Sequence, residues 1–281
     1  MRRCSLAASL LLAAALTGCT SDRAAVAPAA APRDAHEGLD ATLWMQTSAE
    51  YQMLCRAAYR GAAASLDRAL GDPTWTASLE QTTVSDGMPP AIIVDVDETV
   101  LDNSPFQGRV VRERTRFSPQ LWQQWVSQAS APALPGAVEF LRDAAQRGVA
   151  VFYVTNRSAA SEDATRRNLA ALGFPLASST DVVLTEGENG WTSDKTARRV
   201  LIASKYRVLL LIGDDLGDFL SGAKDTPENR RAAAEKHAER FGVNWILLPN
   251  PAYGSWERAL YPPKSADDEA LARKFARIRA F

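Results

Sequence analysis

Short, largely apolar segments alternate with helical patterns from residue 91 onward, and this alternation is the strongest constraint on the fold. A brief continuous apolar run is typical of a parallel strand buried on both faces, and a helix is the usual connection between parallel strands. The predicted strands are 91–94, 149–154, 181–184, 208–212 and 243–248, and the predicted helices are 135–146, 161–172, 194–204 and 227–241. We therefore predict an α/β fold with a doubly wound, mostly parallel sheet.

The chain has 281 residues, a length that suits one large domain carrying a smaller insert. Apolar residues recur at helical spacing over 39–70, which predicts a helix ahead of the first strand. A second helical segment follows the first strand. We predict a single domain over 39–281, in which 39–75 and 103–133 form a small helical part above the sheet.

The N-terminus has the pattern of an export signal over residues 1–18. Arg2 and Arg3 precede an apolar stretch that is too short to span a bilayer as an ordinary helix. The stretch ends in Gly18-Cys19, which resembles the bacterial lipobox, whose cysteine is lipidated. An ordinary cleaved signal peptide is the alternative. The Ala- and Pro-rich segment 19–38 predicts a flexible tether, and the absence of Asp after Cys19 favours an outer-membrane lipoprotein of the bacterial cell envelope.

Composition excludes several classes of function. Without the leader, 30 basic residues face 33 acidic ones, so charge gives no support for a nucleic-acid polymer as partner. Of the three cysteines only Cys55 would remain as a free side chain in the mature domain, so no intramolecular disulfide is expected. His36 and His237 lie in the tether and on a charged helix, which argues against histidine-dependent catalysis.

Polar residues cluster where the predicted strands end. Asp95 and Asp97 follow the first strand, the segment 155–157 follows the second, and the acidic segment 213–218 follows the strand at 208–212. Lys195 opens a helix between the last two. Because ligands bind beyond the carboxyl ends of parallel strands, these groups are expected to meet on one rim.

Their residue types indicate phosphoryl transfer. A carboxylate can attack a phosphomonoester and form an aspartyl-phosphate, but several carboxylates would repel the phosphate dianion. Mg²⁺ reverses that repulsion and prefers oxygen ligands. A lone Asp after a strand is often a turn residue or a helix cap, so the prediction rests on four placements together.

These motifs resemble the haloacid dehalogenase (HAD) superfamily. The segment IIVDVDETVLDNSPF at 92–106 and the segment LIGDDLGDF at 211–219 are similar to the two signatures of class C acid phosphatases, a family that includes surface lipoproteins with 5'-nucleotidase activity. The resemblance extends over most of the chain from about residue 40. It implies a magnesium-dependent acid phosphatase that hydrolyses small-molecule phosphomonoesters, with nucleoside 5'-monophosphates as the expected substrates.

The resemblance also implies roles for individual residues. Asp95 matches the nucleophile and a magnesium ligand, and Asp97 matches the general acid/base, with its main-chain carbonyl on the metal. The remaining assignments are Asp214 as the third metal ligand, Asp215 and Asp218 as holders of metal-bound water, and Thr155, Asn156 and Lys195 as phosphate-binding residues. Asp215 stands where asparagine is common, and Phe106 where tyrosine is common.

Aromatic residues near the motifs are candidates for substrate binding. Phe106, Trp191 and Tyr253 follow or flank the motifs, and aromatic faces stack on bases. The alternative is that these rings belong to the core. Two other functions stay open at this point: a phosphotransferase on the same site, and a non-catalytic surface lipoprotein that binds a ligand. A homodimer is likewise left open.

Overall fold

The computed structural model describes residues 36–82 and 87–280; the predicted signal peptide, Cys19 and most of the tether lie outside them. A five-stranded sheet forms the centre, with strand order β3-β2-β1-β4-β5 and every neighbouring pair parallel. The strands are β1 (Pro90–Val94), β2 (Ala150–Ser158), β3 (Val183–Glu186), β4 (Arg207–Gly213) and β5 (Trp245–Leu247). This arrangement confirms the predicted α/β fold.

Strand β1 occupies the middle of the sheet because its side chains are apolar on both faces. Residues Ala91–Val94 are buried, and each pairs with residues of both β2 and β4. The backbone N–H of Asp95 continues the ladder by donating to the carbonyl of Ile212 at 2.9 Å. The ends of β1 and β4 are therefore held side by side, which brings together the acidic residues that follow them.

Helices cover the sheet. They are α1 (Leu39–Thr47), α2 (Ala49–Gly71), α3 (Ser104–Arg112), α4 (Pro119–Ser127), α5 (Ala137–Gln146), α6 (Glu162–Leu172), α7 (Thr196–Ala203), α8 (Pro227–Glu235), α9 (Ser255–Arg258) and α10 (Asp267–Ala276). The chain winds from β1 outward to β2 and β3, then returns to β4 and β5 on the other side of β1. Connections between parallel strands are right-handed. The connections that run from β1 towards β3 and those that run towards β5 therefore place their helices on opposite faces of the sheet.

The region of the predicted 39–70 helix contains two helices instead of one. Ser48 interrupts it with an extended backbone (φ −80°, ψ 137°), and its hydroxyl accepts a hydrogen bond from the Tyr51 N–H at 3.1 Å. This is an N-cap, which a serine favours at a helix start. The apolar spacing continues through the break, so periodicity alone did not reveal it. The side-chain amide of Gln46 donates to the Ser104 carbonyl at 2.8 Å and joins α1 to α3.

Element ends differ from the predictions mainly near the C-terminus. Helix α8 ends at Glu235 rather than at 241, and α9 and α10 were not predicted. Ala270 is the one residue of α10 that is buried. The helix therefore has almost no core-facing apolar stripe from which it could be predicted. Among the described helices, none combines the length and apolar character needed to cross a membrane.

Candidate active site

Three carboxylates converge at the carboxyl ends of β1 and β4. Asp95 follows β1, Asp214 follows β4, and Asp218 ends a short 3-10 turn, Leu216–Asp218, just beyond. One carboxylate oxygen from each lies within 4.8 Å of the others, and all three residues are buried or half-buried. In the part of the chain that the structure describes, this is the group of His, Cys, Asp or Glu side chains with the geometry of a cation site.

Lys195 reaches this cluster from the N-cap position of α7. Its ammonium group donates to Asp218 at 2.6 Å and also contacts the Asp95 carboxylate, and the lysine side chain is buried. Burial alone would lower the pKa of Lys195, but the carboxylates of Asp218 and Asp95 raise it above its ordinary value. Lys195 is therefore a fixed positive charge beside two of the three acidic groups.

The acidic groups carry more negative charge than Lys195 offsets. Burial raises the pKa of Asp95 to about 7, with the Asp218 carboxylate adding to the effect and Lys195 opposing it. Burial, Asp218 and Asp95 likewise raise the pKa of Asp214 well above its usual range. Ionisation of all three carboxyl groups beside one ammonium would leave the site negative, and a divalent cation with oxygen ligands fits that donor set. The residues present can thus hold a metal ion.

Neighbouring polar groups orient the cluster. The Thr99 hydroxyl lies 3.3 Å from an Asp95 oxygen and 3.4 Å from an Asp214 oxygen. The side-chain amide of Asn250, in the loop after β5, donates to the other Asp214 oxygen at 2.7 Å. Gly213 leaves room for Asp218, since a Cβ there would overlap the Asp218 carboxyl group.

Asp97 is not part of the three-carboxylate cluster and forms a salt bridge with Arg157. The Arg157 Nε and Nη2 atoms donate to Asp97 Oδ1 at 2.9 and 2.8 Å, and the Asn103 side-chain amide donates to the same oxygen at 2.9 Å. The guanidinium group also lies over the Trp122 ring, 5.6 Å from its centroid. Asp97 is 19% exposed whereas Arg157 is 1% exposed, so the carboxylate faces outward from a buried cation.

Sequence reasoning missed this arginine. Arg157 ends the same segment as Thr155, beyond the predicted strand 149–154, so the placement argument that selected Thr155 applies equally to it. Two other missed residues, Asn103 and Glu98, lie in the turn after β1. The Asn103 backbone N–H donates to the buried Glu98 carboxylate at 2.8 Å. Burial and the nearby Asp97 raise the pKa of Glu98 well above its usual range.

The predicted phosphate-binding residues lie at two different places. The Thr155 hydroxyl is buried 3.5 Å from Asp97 Oδ2, close to the acid/base candidate. The Asn156 side chain instead accepts from Arg198 at 2.8 Å and donates to the Ser193 carbonyl at 3.0 Å. Asn156 thereby connects the end of β2 by hydrogen bonds to the loop that precedes Lys195.

Asp215 is occupied by hydrogen bonds within its own loop. Its carboxylate accepts from the Gly217 N–H at 2.9 Å and from the N–H and hydroxyl of Ser255 at 2.7 and 2.5 Å. Burial opposes ionisation, but the hydrogen bonds from Ser255 and Gly217 outweigh it and lower the pKa of Asp215. Its carboxylate is directed to α9 and lies outside the three-carboxylate cluster.

The three aromatic candidates also occupy different positions. Phe106 is 2% exposed and packs edge-on against Trp122 at 5.1 Å between centroids, which encloses its ring in the helical part. Trp191 is half-buried in the turn that precedes Lys195. Tyr253 donates its hydroxyl to Glu98, beside Asp97, so it is the candidate that the structure brings to the site.

The family model and the similar solved structures indicate the same protein family. Residues 4–256 match the family model described as HAD superfamily, subfamily IIIB (acid phosphatase). Among solved structures, the class C acid phosphatase from Bacillus anthracis is 33% identical, with a TM-score of 0.78 over 88% of this chain and 98% of that one. A structure of the same enzyme with tungstate bound gives the same values.

Curated relatives are more distant. Acid phosphatase 1 of Solanum lycopersicum is 28% identical over 57% of each chain. The stem 28 kDa glycoprotein of Glycine max is 27% identical over 57% of this chain and 58% of its own length. The chain thus spans less than two thirds of the length of these curated relatives.

Proposed function

Because this chain belongs to the acid phosphatases of HAD superfamily subfamily IIIB, we propose that it is a magnesium-dependent phosphomonoesterase that works through an aspartyl-phosphate. The observation that carries the proposal is the convergence of Asp95, Asp214, Asp218 and Lys195 on one rim of the sheet. The family predicted from the sequence motifs is confirmed by the match. The metal, the mechanism and the substrate class are the proposed part.

The metal proposal rests on charge. Asp95, Asp214 and Asp218 offer three oxygens of the kind that Mg²⁺ prefers, and Lys195 balances only one of their charges. When bound, Mg²⁺ supplies positive charge that offsets the carboxylates and the phosphate oxygens. Thr99 and Asn250 keep the Asp214 carboxylate in place by hydrogen bonds to its two oxygens.

In the proposed reaction, an Asp95 oxygen attacks phosphorus, so that an O–P bond forms while the bond to the leaving oxygen breaks. Asp97 donates a proton to that oxygen, then accepts one from the water that hydrolyses the aspartyl-phosphate. Lys195 and the Thr155 hydroxyl bind the phosphate oxygens. Both carboxyl groups return to their starting states, and the products are an alcohol and inorganic phosphate.

For the substrate we propose nucleoside 5'-monophosphates. The support is the partly exposed pair Trp191 and Tyr253, since aromatic faces stack on nucleobases by about 1–3 kcal/mol per base. Tyr253 is fixed by its contact with Glu98, the residue after Asp97, and this contact supports a role for its ring in binding the leaving group. The enclosed ring of Phe106 gives less support. A panel of nucleoside monophosphates and sugar phosphates, assayed with magnesium, tests the preference.

The decisive test is Asp95→Asn assayed on p-nitrophenyl phosphate. We expect phosphate release to be abolished while the protein stays folded, because an amide cannot form the phosphoenzyme. Asp143→Asn, an exposed surface carboxylate paired with Arg147, is the matched control and should keep full activity. Turnover by Asp95→Asn would remove Asp95 from the mechanism. EDTA should stop activity and Mg²⁺ restore it.

The other functions considered are separated by product analysis. A phosphotransferase shares the aspartyl-phosphate but delivers it to an alcohol, so release of inorganic phosphate without an acceptor favours hydrolysis. A non-catalytic lipoprotein would release none. The complete set of Asp95, Asp97, Thr155, Lys195 and Asp214 supports catalysis.

We further propose that the chain is an outer-membrane lipoprotein of the bacterial envelope, anchored by a lipid on Cys19. The support is the sequence pattern alone: a basic start, a short apolar stretch and Gly18-Cys19. Cys19→Ser should yield a soluble or mis-sorted form, measured by membrane fractionation. Unchanged membrane association of that variant would count against lipidation.

A further inference from the structure

Arg198 is a buried cation that the proposed mechanism does not use. It lies on α7, three residues after Lys195, and is 0% exposed. Side chains three residues apart are neighbours on a helix surface. The same side of α7 therefore brings Lys195 to the Asp95 carboxylate and Arg198 to strand β2.

The Arg198 guanidinium holds the part of β2 that carries the proposed phosphate-binding hydroxyl. Its Nη1 atom donates to the Thr155 carbonyl at 2.6 Å, and its Nη2 atom donates to the Asn156 side-chain oxygen at 2.8 Å. Further bonds run to the carbonyls of Leu184, at 3.4 Å, and Thr192, at 3.0 Å. Arg198 therefore fixes the backbone from which the Thr155 hydroxyl projects.

The charge of Arg198 has no ion-pair partner in the part of the chain that the structure describes. The oxygens that it contacts there belong to carbonyl or amide groups, and its buried Nε atom has no hydrogen-bond partner there. Two other buried arginines differ, since Arg157 pairs with Asp97 at 2.8 Å and Arg199 pairs with Glu80 at 2.7 Å. Burying a cation without a carboxylate is costly, which indicates a use for the charge.

The surroundings place that charge within electrostatic range of the nucleophile. Burial lowers the pKa of Arg198, and the carboxylates of Asp95 and Glu186 oppose the shift. A guanidinium nevertheless stays protonated at the pH of any ordinary assay. A phosphate group that meets Asp95 and Thr155 would therefore also be attracted by the Arg198 charge.

We propose that Arg198 is a positioning residue of the phosphate site, which fixes the Thr155–Asn156 segment and attracts the phosphate group through its charge. The proposal rests on the proposed phosphatase function and deepens it. A unit charge roughly 10 Å from a phosphate changes phosphate binding by at least about tenfold at an effective dielectric of about 20.

The test measures the binding of inorganic phosphate, the product, by titration calorimetry in saturating magnesium. Arg198→Met removes the charge and the hydrogen bonds, so the dissociation constant of phosphate should rise at least about tenfold. Arg198→Lys keeps the charge without the two-atom contact and should bind phosphate more tightly than Arg198→Met. Melting temperatures verify that each variant is folded.

Asn156→Asp tests the charge without removing the arginine, and it decides the matter if Arg198→Met does not fold. Asn156 is exposed, and its side chain already accepts from Arg198. The new carboxylate would pair with the guanidinium, so the fold should persist while phosphate binding weakens by about tenfold. Ser193→Asp adds the same charge in the adjacent loop, beside Lys224, and should have a smaller effect.

Arg207→Met is the matched control for a structural arginine. Arg207 also donates to main-chain carbonyls, those of Ala69 and Asp72 at 3.1 and 2.6 Å, but it lies at the start of β4, away from the site. This change should lower the melting temperature and leave phosphate binding unchanged.

Equal phosphate affinity in the parent and in Asn156→Asp, or in the parent and a folded Arg198→Met, would overturn the proposal. Equal losses in Arg198→Met and Arg207→Met would also overturn it, since the effect would then reflect general loosening of the fold. A parent that neither binds phosphate nor releases it from p-nitrophenyl phosphate would overturn the proposed function, and this inference with it.

Discussion

Arg157→Leu tests whether the cation behind Asp97 sets the position of the acid/base group. Two nitrogens of the guanidinium donate to Asp97, and the arginine is almost completely buried, whereas the leucine side chain keeps part of the packing against Trp122. Removing one partner of a buried ion pair typically costs 3–5 kcal/mol. Because Asp97 is partly exposed and keeps its bond to Asn103, we expect the lower end, about 3 kcal/mol.

For a domain of this size, that loss lowers the melting temperature by roughly 6–12 °C. The effect on catalysis should depend on the leaving group. An alkyl phosphate needs a proton on its leaving oxygen, so kcat should fall by about 10²–10³-fold when Asp97 loses its position. p-Nitrophenolate leaves without one, so its release in the first turnover should slow by at most about tenfold. Hydrolysis of the aspartyl-phosphate, which uses Asp97 as the base, should slow for both substrates. KM should change little, since the Arg157 guanidinium binds Asp97, whereas Lys195, the proposed phosphate-binding residue, binds Asp218.

Arg147→Leu is the matched control. Arg147 also binds a carboxylate, that of Asp67 at 2.7 Å, but both side chains lie at the surface. Such a pair contributes at most about 1 kcal/mol, and activity should not change. In an Asp97→Asn background, Arg157→Leu should add little to the loss of kcat, because both changes remove the same function. An equal slowing of first-turnover leaving-group release for alkyl and p-nitrophenyl phosphates would refute the positioning role.

Three further outcomes are expected. Asp215→Ala should lower the free energy of unfolding by about 1–3 kcal/mol because it strips hydrogen bonds from its loop, while a magnesium titration of activity shifts by less than about threefold. Burial raises the pKa of Asp95 to about 7, above its value in the unfolded chain. The metal-free protein should therefore lose stability as pH rises from about 4 to 7. Thermal melts should show that magnesium stabilises the protein more at about pH 8 than at about pH 5. Gly213→Ala should overlap the Asp218 carboxyl group and lower kcat at least about tenfold, whereas Gly61→Ala, with open space around it, should leave kinetics unchanged.

The strands and the site rim were predictable because they depend on local sequence. An apolar run such as 91–94 has one stable location, the buried middle of a parallel sheet, and the carboxyl end of that strand must lie at the ligand-binding edge. Asp95 and Asp214 follow from this rule alone, whereas Lys195 was selected because it opens a helix between two of the strand-end segments. The resemblance to class C acid phosphatases then supplied the role of each residue.

Other features depend on contacts between distant segments, which local patterns do not encode. Asp215 and Asp218 have the same side chain and lie three residues apart, yet one binds Ser255 and the other Lys195. The two residues can be distinguished only from the folded structure, in which the loop before α9 brings Ser255 to Asp215. Asn250 reaches Asp214 from a loop 36 residues away, and the local sequence around Asn250 does not show this contact.

The carboxylates of Asp95 and Asp97 are neutralised by different groups. This difference explains how two carboxylates only two residues apart can have different proposed roles. Asp97 is paired with a buried arginine that the protein itself provides. Asp95 lies with Asp214 and Asp218 beside Lys195, so within the described part of the chain three carboxylates there meet a single ammonium group. In the proposed mechanism, a cation from solution balances the negative charge around the nucleophile Asp95, whereas Arg157 balances that of the acid/base group Asp97. Removing the metal should therefore disable attack on phosphorus and leave the Asp97–Arg157 pair intact.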